Sequence, residues 1–159
     1  MQGRDCSELT TGVTDAEVYA AAVAFRRALE RCDLRALGPT LEHFPHGSCG
    51  DASLLLREHL MRHGAGPFEY VSAERGDRAA GTWTSHAWLE RDGLIVDVTA
   101  DQFGDETPPV LVTRDSPLHR TFAEVDRRPG DYRAEGGYAA AMLAIADHAI
   151  RAQMGDARM

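Results

Sequence analysis

The spacing of apolar and polar residues predicts a helix near the start of the chain. Apolar residues recur every three or four positions, as one face of an amphipathic helix requires: they are Val18, Ala22, Phe25, Leu29 and Cys32. Thr14, with Glu17 three residues later, is a capping-box pattern, so the helix begins after Thr14. Gly38 and Pro39 interrupt the pattern, so the predicted helix ends at about Leu37.

Two further helices are predicted from the same kind of pattern. Residues 49–63 are rich in leucine over a broad face, which indicates a helix packed into the core. Gly64 follows at the position that commonly ends a helix. Residues 40–48, before this helix, are predicted to form a loop. Residues 137–154 are rich in alanine and make up the last predicted helix.

The middle of the chain has the period and the residue types of strands. The predicted strands cover residues 68–73, 82–90, 94–99 and 110–113. Asp92-Gly93 is a hairpin signal between the second and the third strand. Residues 114–133 contain Pro117, Pro129 and Gly130 and are expected to be irregular.

This order of elements predicts an α+β fold, with helices first, then an antiparallel sheet, then a helix. We expect a loose segment over residues 1–13 and a single domain over residues 14–159, a length that can bury a core without covalent cross-links. No apolar run approaches the roughly 20 residues that span a bilayer, and no signal-peptide pattern is present. We therefore expect a cytoplasmic protein with no membrane partner.

Charge narrows the range of partners. The formal net charge is −8, which argues against a nucleic-acid binder, because such proteins neutralise phosphates with a basic face. All 17 basic side chains are arginines. Arg26, Arg27, Arg31 and Arg35 are interpreted as one solvated helix face.

The cysteines give the first candidate for chemistry. Cys6, Cys32 and Cys49 are odd in number and irregular in spacing, which favours free thiols over a disulfide framework. Cys6 has no predicted role, and Cys32 lies on the apolar stripe. Cys49 begins a predicted helix, where unpaired N–H groups and the macrodipole favour an anion. Cys49 is therefore a candidate nucleophile, with a buried structural cysteine as the alternative.

The predicted hairpin brings His86 and Asp97 to one face of the sheet in two possible registers. With a two-residue turn at Asp92-Gly93, Trp88 faces Asp97 and His86 lies one diagonal step away. With a four-residue loop His86 faces Asp97 directly, whereas a three-residue loop sends the two side chains to opposite faces. An acid inside an apolar strand is costly if unpaired, so Asp97 needs a partner, and His86 is the nearest candidate. Such a pair would make His86 a base for a nearby thiol.

Three stretches of the sequence together resemble a known family. Residues 47–52 (Gly-Ser-Cys-Gly-Asp-Ala), 86–90 (His-Ala-Trp-Leu-Glu) and 96–99 (Val-Asp-Val-Thr) are similar to the transglutaminase-like branch of the papain-like thiol enzymes. The resemblance extends over residues 45–103, a little over a third of the chain.

The resemblance implies a papain-like fold and an acyl-enzyme mechanism that needs no cofactor. Cys49, at the start of a central helix packed on a small antiparallel sheet, would be the nucleophile, His86 the base and Asp97 its orienter. Gln102 would be an oxyanion donor, alongside the Cys49 backbone N–H. The implied substrate is a peptide, a protein carboxamide or a small acyl or amide compound. Gly50 departs from the pattern, because many transglutaminases carry an aromatic residue directly after the cysteine.

Other residues suggest a cleft or an alternative chemistry. His46 and Trp88 are predicted to contact substrate. His43, His46 and Cys49 have a spacing that a metal could use, so a metal-dependent hydrolase is one alternative. A non-catalytic interaction module on the same fold is another.

The remaining histidines have no predicted role in the chemistry. His59 and His63 are interpreted as a pair favoured by the dipole at a helix C-terminus. His119 and His148 have no visible partner in the sequence. The sequence sets neither the oligomeric state nor the choice between hydrolysis and transfer to an amine.

Overall fold

The computed structural model of the protein describes residues 12–156. Cys6 and most of the predicted loose segment lie outside the described residues. The helices are α1 (Asp15–Arg31), α2 (Cys49–Arg62), α3 (Pro117–Arg120) and α4 (Gly137–Asp156). The strands are β1 (Glu69–Arg75), β2 (Thr84–Arg91), β3 (Leu94–Asp97), β4 (Leu111–Thr113) and β5 (Ala123–Arg128). Among these helices none is both long and apolar enough to cross a membrane.

The five strands form one antiparallel sheet in the order β4-β3-β2-β1-β5. Residues that face one side of the sheet, including Leu89 and Val96, join the main core with the leucines of α2 and the apolar face of α1. Residues that face the other side form a smaller cluster around Trp88 and Phe122. The α+β class predicted from the sequence is therefore confirmed.

The hairpin between β2 and β3 sets the relative positions of the candidate residues. Arg91 pairs with Leu94 and Leu89 pairs with Val96, which is the register of a two-residue turn. The turn residues Asp92 and Gly93 have φ angles of 50° and 80°, as a tight hairpin turn requires. Of the two registers that kept the candidate side chains on one face, the two-residue turn is confirmed.

Two predictions about the secondary structure are wrong. The first helix ends at Arg31, and a separate 3₁₀ turn covers Leu34–Leu37, because Cys32 at the end of α1 has an extended backbone. The stretch 114–133, predicted to be irregular, contains α3 and the edge strand β5. α3 begins where the Ser116 side chain accepts a hydrogen bond from the His119 backbone N–H, with Pro117 in the first turn.

Arg26 is the exception to the predicted solvated arginine face. Its side chain is buried and donates to the carbonyl oxygens of Val98 (3.0 Å) and Pro109 (2.9 Å). It also forms a bidentate pair with the Asp101 carboxylate, at 2.6 and 2.8 Å. Arg26 therefore attaches α1 to the segment that follows β3.

Candidate active site

Cys49 is the first residue of α2, and the segment before it leaves the start of that helix open. Gly47 has a φ of 66°, a conformation that favours glycine. The Ser48 hydroxyl donates to the carbonyl oxygens of Thr40 (2.8 Å) and His46 (3.2 Å), and does not cap the helix. The first-turn N–H groups of α2 are thus free of the Ser48 side chain and can face an anion near the half-buried Cys49.

Packing of α2 on β2 brings Cys49 next to His86. Ser53, one helical turn after Cys49, donates its hydroxyl to the carbonyl oxygen of Ala87, at 3.3 Å. His86 precedes Ala87 in β2 and is buried. Burial on its own lowers the pKa of His86, but the interactions with Asp97 and with the Cys49 side chain outweigh it and raise that pKa to about 9.

Asp97, at the end of β3, bonds directly to His86. The distance from His86 Nε2 to Asp97 Oδ2 is 2.6 Å. The other carboxylate oxygen, Oδ1, accepts the Thr99 backbone N–H at 2.8 Å and the Thr99 hydroxyl at 3.3 Å. Burial alone raises the pKa of Asp97, but hydrogen bonds from His119 and His86 lower it well below its ordinary value. The buried aspartate is therefore ionised and fully hydrogen-bonded.

His119 is the second histidine on Asp97, and sequence reasoning missed it. Its Nε2 lies 2.7 Å from Asp97 Oδ2, the same oxygen that binds His86. His119 is buried on α3, 22 residues after Asp97, so the sequence gives no local sign of the contact. Ser116-Pro117 is the pattern of a helix start and could have placed His119 in a helical turn, but it gives no sign of burial or of the Asp97 contact.

Aromatic rings enclose His86. Phe103 meets it edge-on at 4.8 Å between ring centroids, and Phe122 and Trp88 each lie 5.7 Å away. Trp88, predicted to contact substrate, is only 5% exposed and packs against His119 at 4.7 Å. The Trp88 indole thus packs beneath the two histidines, and its contact with a substrate stays a prediction.

Gln102 lies beside the same imidazole. Its Nε2 is 3.3 Å from His86 Nδ1, the ring nitrogen that does not bond to Asp97. Gln102 belongs to the short 3₁₀ turn Ala100–Phe103, which Arg26 holds through Asp101. The structure therefore places Gln102 with the Cys49, His86 and Asp97 group, while its role in stabilising an oxyanion stays a prediction.

Tyr70 on β1 is a further neighbour of Cys49 that the sequence did not indicate. Its hydroxyl oxygen lies 3.2 Å from the position that a Cβ at Gly50 would take. Burial, and after it the charge at Cys49, raises the pKa of Tyr70 to about 12. The hydrogen on Gly50 thus leaves room for the Tyr70 phenol near the start of α2.

The predicted metal ligands His43 and His46 do not gather around Cys49. Both are exposed on the loop before α2, and residues 12–156 bring together a different potential ligand group, His86, Asp97 and His119. Zinc ligands lie about 2.0–2.2 Å from the metal, so two ligand atoms on one zinc are more than about 3 Å apart. The nitrogen–oxygen distances of 2.6 and 2.7 Å in this group are instead those of N–H···O hydrogen bonds.

No protein-family model, curated protein or solved structure matches this chain. A thiol at a helix start, an imidazole beside it and a buried carboxylate behind the imidazole form a Cys-His-Asp arrangement.

Proposed function

We propose that the protein is a thiol enzyme of the papain-like, transglutaminase-like class that attacks an amide or a related acyl group. The observation that carries the proposal is the position of His86 between two partners, the Cys49 side chain and the Asp97 carboxylate. A buried imidazole with a raised pKa can exist as imidazolium at neutral pH, which is the counterion that a thiolate needs.

The reaction follows from these positions. The Cys49 thiolate attacks the carbonyl carbon, and the carbonyl oxygen takes the negative charge near the free N–H groups of α2 and the Gln102 amide. When the intermediate collapses, the carbon–nitrogen bond breaks and the His86 imidazolium gives its proton to the leaving amine. Water or a second amine then attacks the thioester, His86 accepts its proton, and the thiolate is released. Asp97 orients the imidazole and stabilises its charged form throughout.

Thiol reactivity tests the first part of the proposal. We would measure the rate of iodoacetamide labelling at each cysteine from pH 4 to 9 by peptide mass spectrometry. Cys32 is the matched internal control, since burial raises the pKa of its thiol and its Sγ bonds to the Ala28 carbonyl oxygen. We expect Cys49 to label faster than Cys32 below pH 8, and we expect His86→Ala and His86→Gln to remove the advantage. Equal rates at the two thiols in the wild type would contradict the proposal.

Acyl transfer tests the second part. An activated ester such as p-nitrophenyl acetate should leave one acetyl group on Cys49, visible by intact mass and lost in Cys49→Ala. General acid–base help contributes about 10²–10⁴-fold, so His86→Ala should lower the acylation rate by at least that factor. An ordinary primary amine added after acylation at neutral pH distinguishes the two fates, because transfer gives the N-acetyl amine and hydrolysis gives acetate.

A metal-dependent hydrolase is the second candidate, and one observation favours it. Ligand atoms of His86, Asp97 and His119 all lie within 4.8 Å of one another, and the two hydrogen-bonded pairs at 2.6 and 2.7 Å would have to separate for these atoms to bind one metal ion. Elemental analysis of the purified protein and activity after treatment with a chelator distinguish the thiol enzyme from the metal-dependent hydrolase. A stoichiometric metal and loss of activity on chelation would favour the metal hydrolase. If the protein is instead a non-catalytic interaction module, alkylation of Cys49 should leave its binding to a partner unchanged.

A further inference from the structure

His119 shares the carboxylate of the proposed catalytic group. Its Nε2 and that of His86 both reach Asp97 Oδ2, at 2.7 and 2.6 Å. A carboxylate only accepts hydrogen bonds, so each histidine must carry a hydrogen on Nε2. Both rings are buried, and the His119 side chain is 2% exposed.

Ser116 fixes the hydrogen on His119. The Ser116 hydroxyl oxygen accepts the His119 backbone N–H at 3.2 Å and lies within hydrogen-bond distance of His119 Nδ1. When the His119 ring carries its hydrogen on Nε2, Nδ1 is an acceptor, and the hydroxyl of the buried Ser116 can donate to it. With Nδ1 accepting, the ring hydrogen is on Nε2 and points at Asp97.

We propose that His119 is a positioning residue that holds the Asp97 carboxylate in the rotamer that orients His86. Thr99 holds Oδ1 and His119 holds Oδ2, so the carboxylate meets the His86 imidazole with both oxygens already fixed. This inference rests on the proposed function, because it acts through His86 on the reactivity of Cys49.

A pair of substitutions of similar size separates positioning from packing. The amide nitrogen of Gln in His119→Gln can donate where Nε2 does, whereas Met in His119→Met fills the space without a donor. Substitution of a hydrogen-bond partner behind a metal-bound histidine commonly costs about 10–100-fold in activity, and His119 holds a comparable place behind Asp97. We therefore expect Met to slow Cys49 labelling at pH 6.5 by about tenfold or more, and Gln to keep it within about threefold of wild type. His148, exposed on α4, supplies the control variant His148→Gln, which should not change the rate.

Each outcome of this experiment has its own interpretation. Thermal melts show whether each variant is folded, and Cys32 labelling reports local opening elsewhere in the same sample. Slow labelling of Cys49 in a folded Met variant, rescued by Gln, supports positioning. Wild-type rates in both variants overturn the inference and leave the thiol-enzyme proposal intact. Equal slowing by Gln and Met also overturns it, since only the shape of the ring would then matter. If wild-type Cys49 labels no faster than Cys32, the proposed function itself has failed.

Discussion

The hydroxyl oxygen of Tyr70 lies 3.2 Å from where a Cβ at Gly50 would be. Such a contact is tight, so Gly50→Ala should push the phenol away by a few tenths of an ångström. Alanine in a helix is otherwise favoured over glycine by roughly 0.5–1 kcal/mol. We expect Gly50→Ala to stabilise the Tyr70→Phe protein, which lacks the oxygen, and to be neutral or destabilising in the wild type. Urea unfolding of the wild type, the two single variants and the double variant measures the coupling free energy between the two positions. We expect about 1 kcal/mol, the low end of the usual cost of overpacking. Additive effects would contradict the predicted crowding.

Two buried histidines contribute to the pH dependence of stability in opposite directions. Burial, and after it the nearby His63, lowers the pKa of His59 to about 4. Its contribution is present above the unfolded value of 6.5 and is lost as the pH falls towards 4. The pKa of His86 is raised to about 9, so its contribution is present below 6.5 and is lost as the pH rises through 9. The His59 contribution corresponds to about 3 kcal/mol in the free energy of unfolding, whereas that of His86 is smaller wherever Cys49 carries the thiolate proposed above.

Two variants assign the limbs of this profile. His59→Gln can keep the bond to the Ala21 carbonyl oxygen, which His59 Nε2 makes at 3.0 Å, and it removes the titrating ring. It should flatten the acid limb between pH 6.5 and 4 and leave the alkaline limb. His86→Gln should do the reverse. Urea unfolding from pH 4 to 10 measures both, and an acid limb that persists in His59→Gln would contradict its assignment to His59.

Loss of Arg26 should be far more costly than loss of its neighbour Arg27. Arg26→Met leaves the half-buried Asp101 carboxylate and two carbonyl oxygens without their donor, so we expect a loss of about 3 kcal/mol in the free energy of unfolding. Arg27→Met, on the exposed side of α1, should change it by no more than about 0.5 kcal/mol. Equal effects in chemical denaturation would mean that the buried contacts of Arg26 contribute nothing beyond those of a surface arginine.

The sequence was most informative where local rules act alone. The hairpin at Asp92-Gly93 depends on turn chemistry and on a period of two, and these place His86 and Asp97 on one face. The capping box at Thr14 works in the same way, since its side chain accepts the Glu17 N–H at 3.2 Å. In each case the signal and its consequence lie within a few residues of each other.

The features that sequence reasoning missed depend on long-range contacts. β5 is an exposed edge strand with no apolar alternation, and it is recognisable only by its pairing with β1 and by ion pairs such as Arg127 with Glu69. Arg26 was assigned to solvent by its charge, although it follows the buried Ala22 by one helical turn. His119 contacts Asp97, which lies 22 residues earlier in the chain. The Cys-His-Asp order could be predicted from motifs, whereas the second histidine required the tertiary fold.

Gln102 should matter for acyl chemistry and not for simple alkylation. Attack on a carbonyl forms an oxyanion that an amide N–H can stabilise, whereas iodoacetamide reacts at a saturated carbon and forms none. Loss of one oxyanion donor costs about 10²–10³-fold in rate, so Gln102→Leu should slow acylation of Cys49 by p-nitrophenyl acetate by about that factor. Alkylation of Cys49 at the same pH should remain close to the wild-type rate. Because Gln102 also lies 3.3 Å from His86 Nδ1, equal slowing of both reactions would show that it acts through the imidazole. No effect on either reaction would remove Gln102 from the mechanism and leave the N–H groups of α2 as the oxyanion donors.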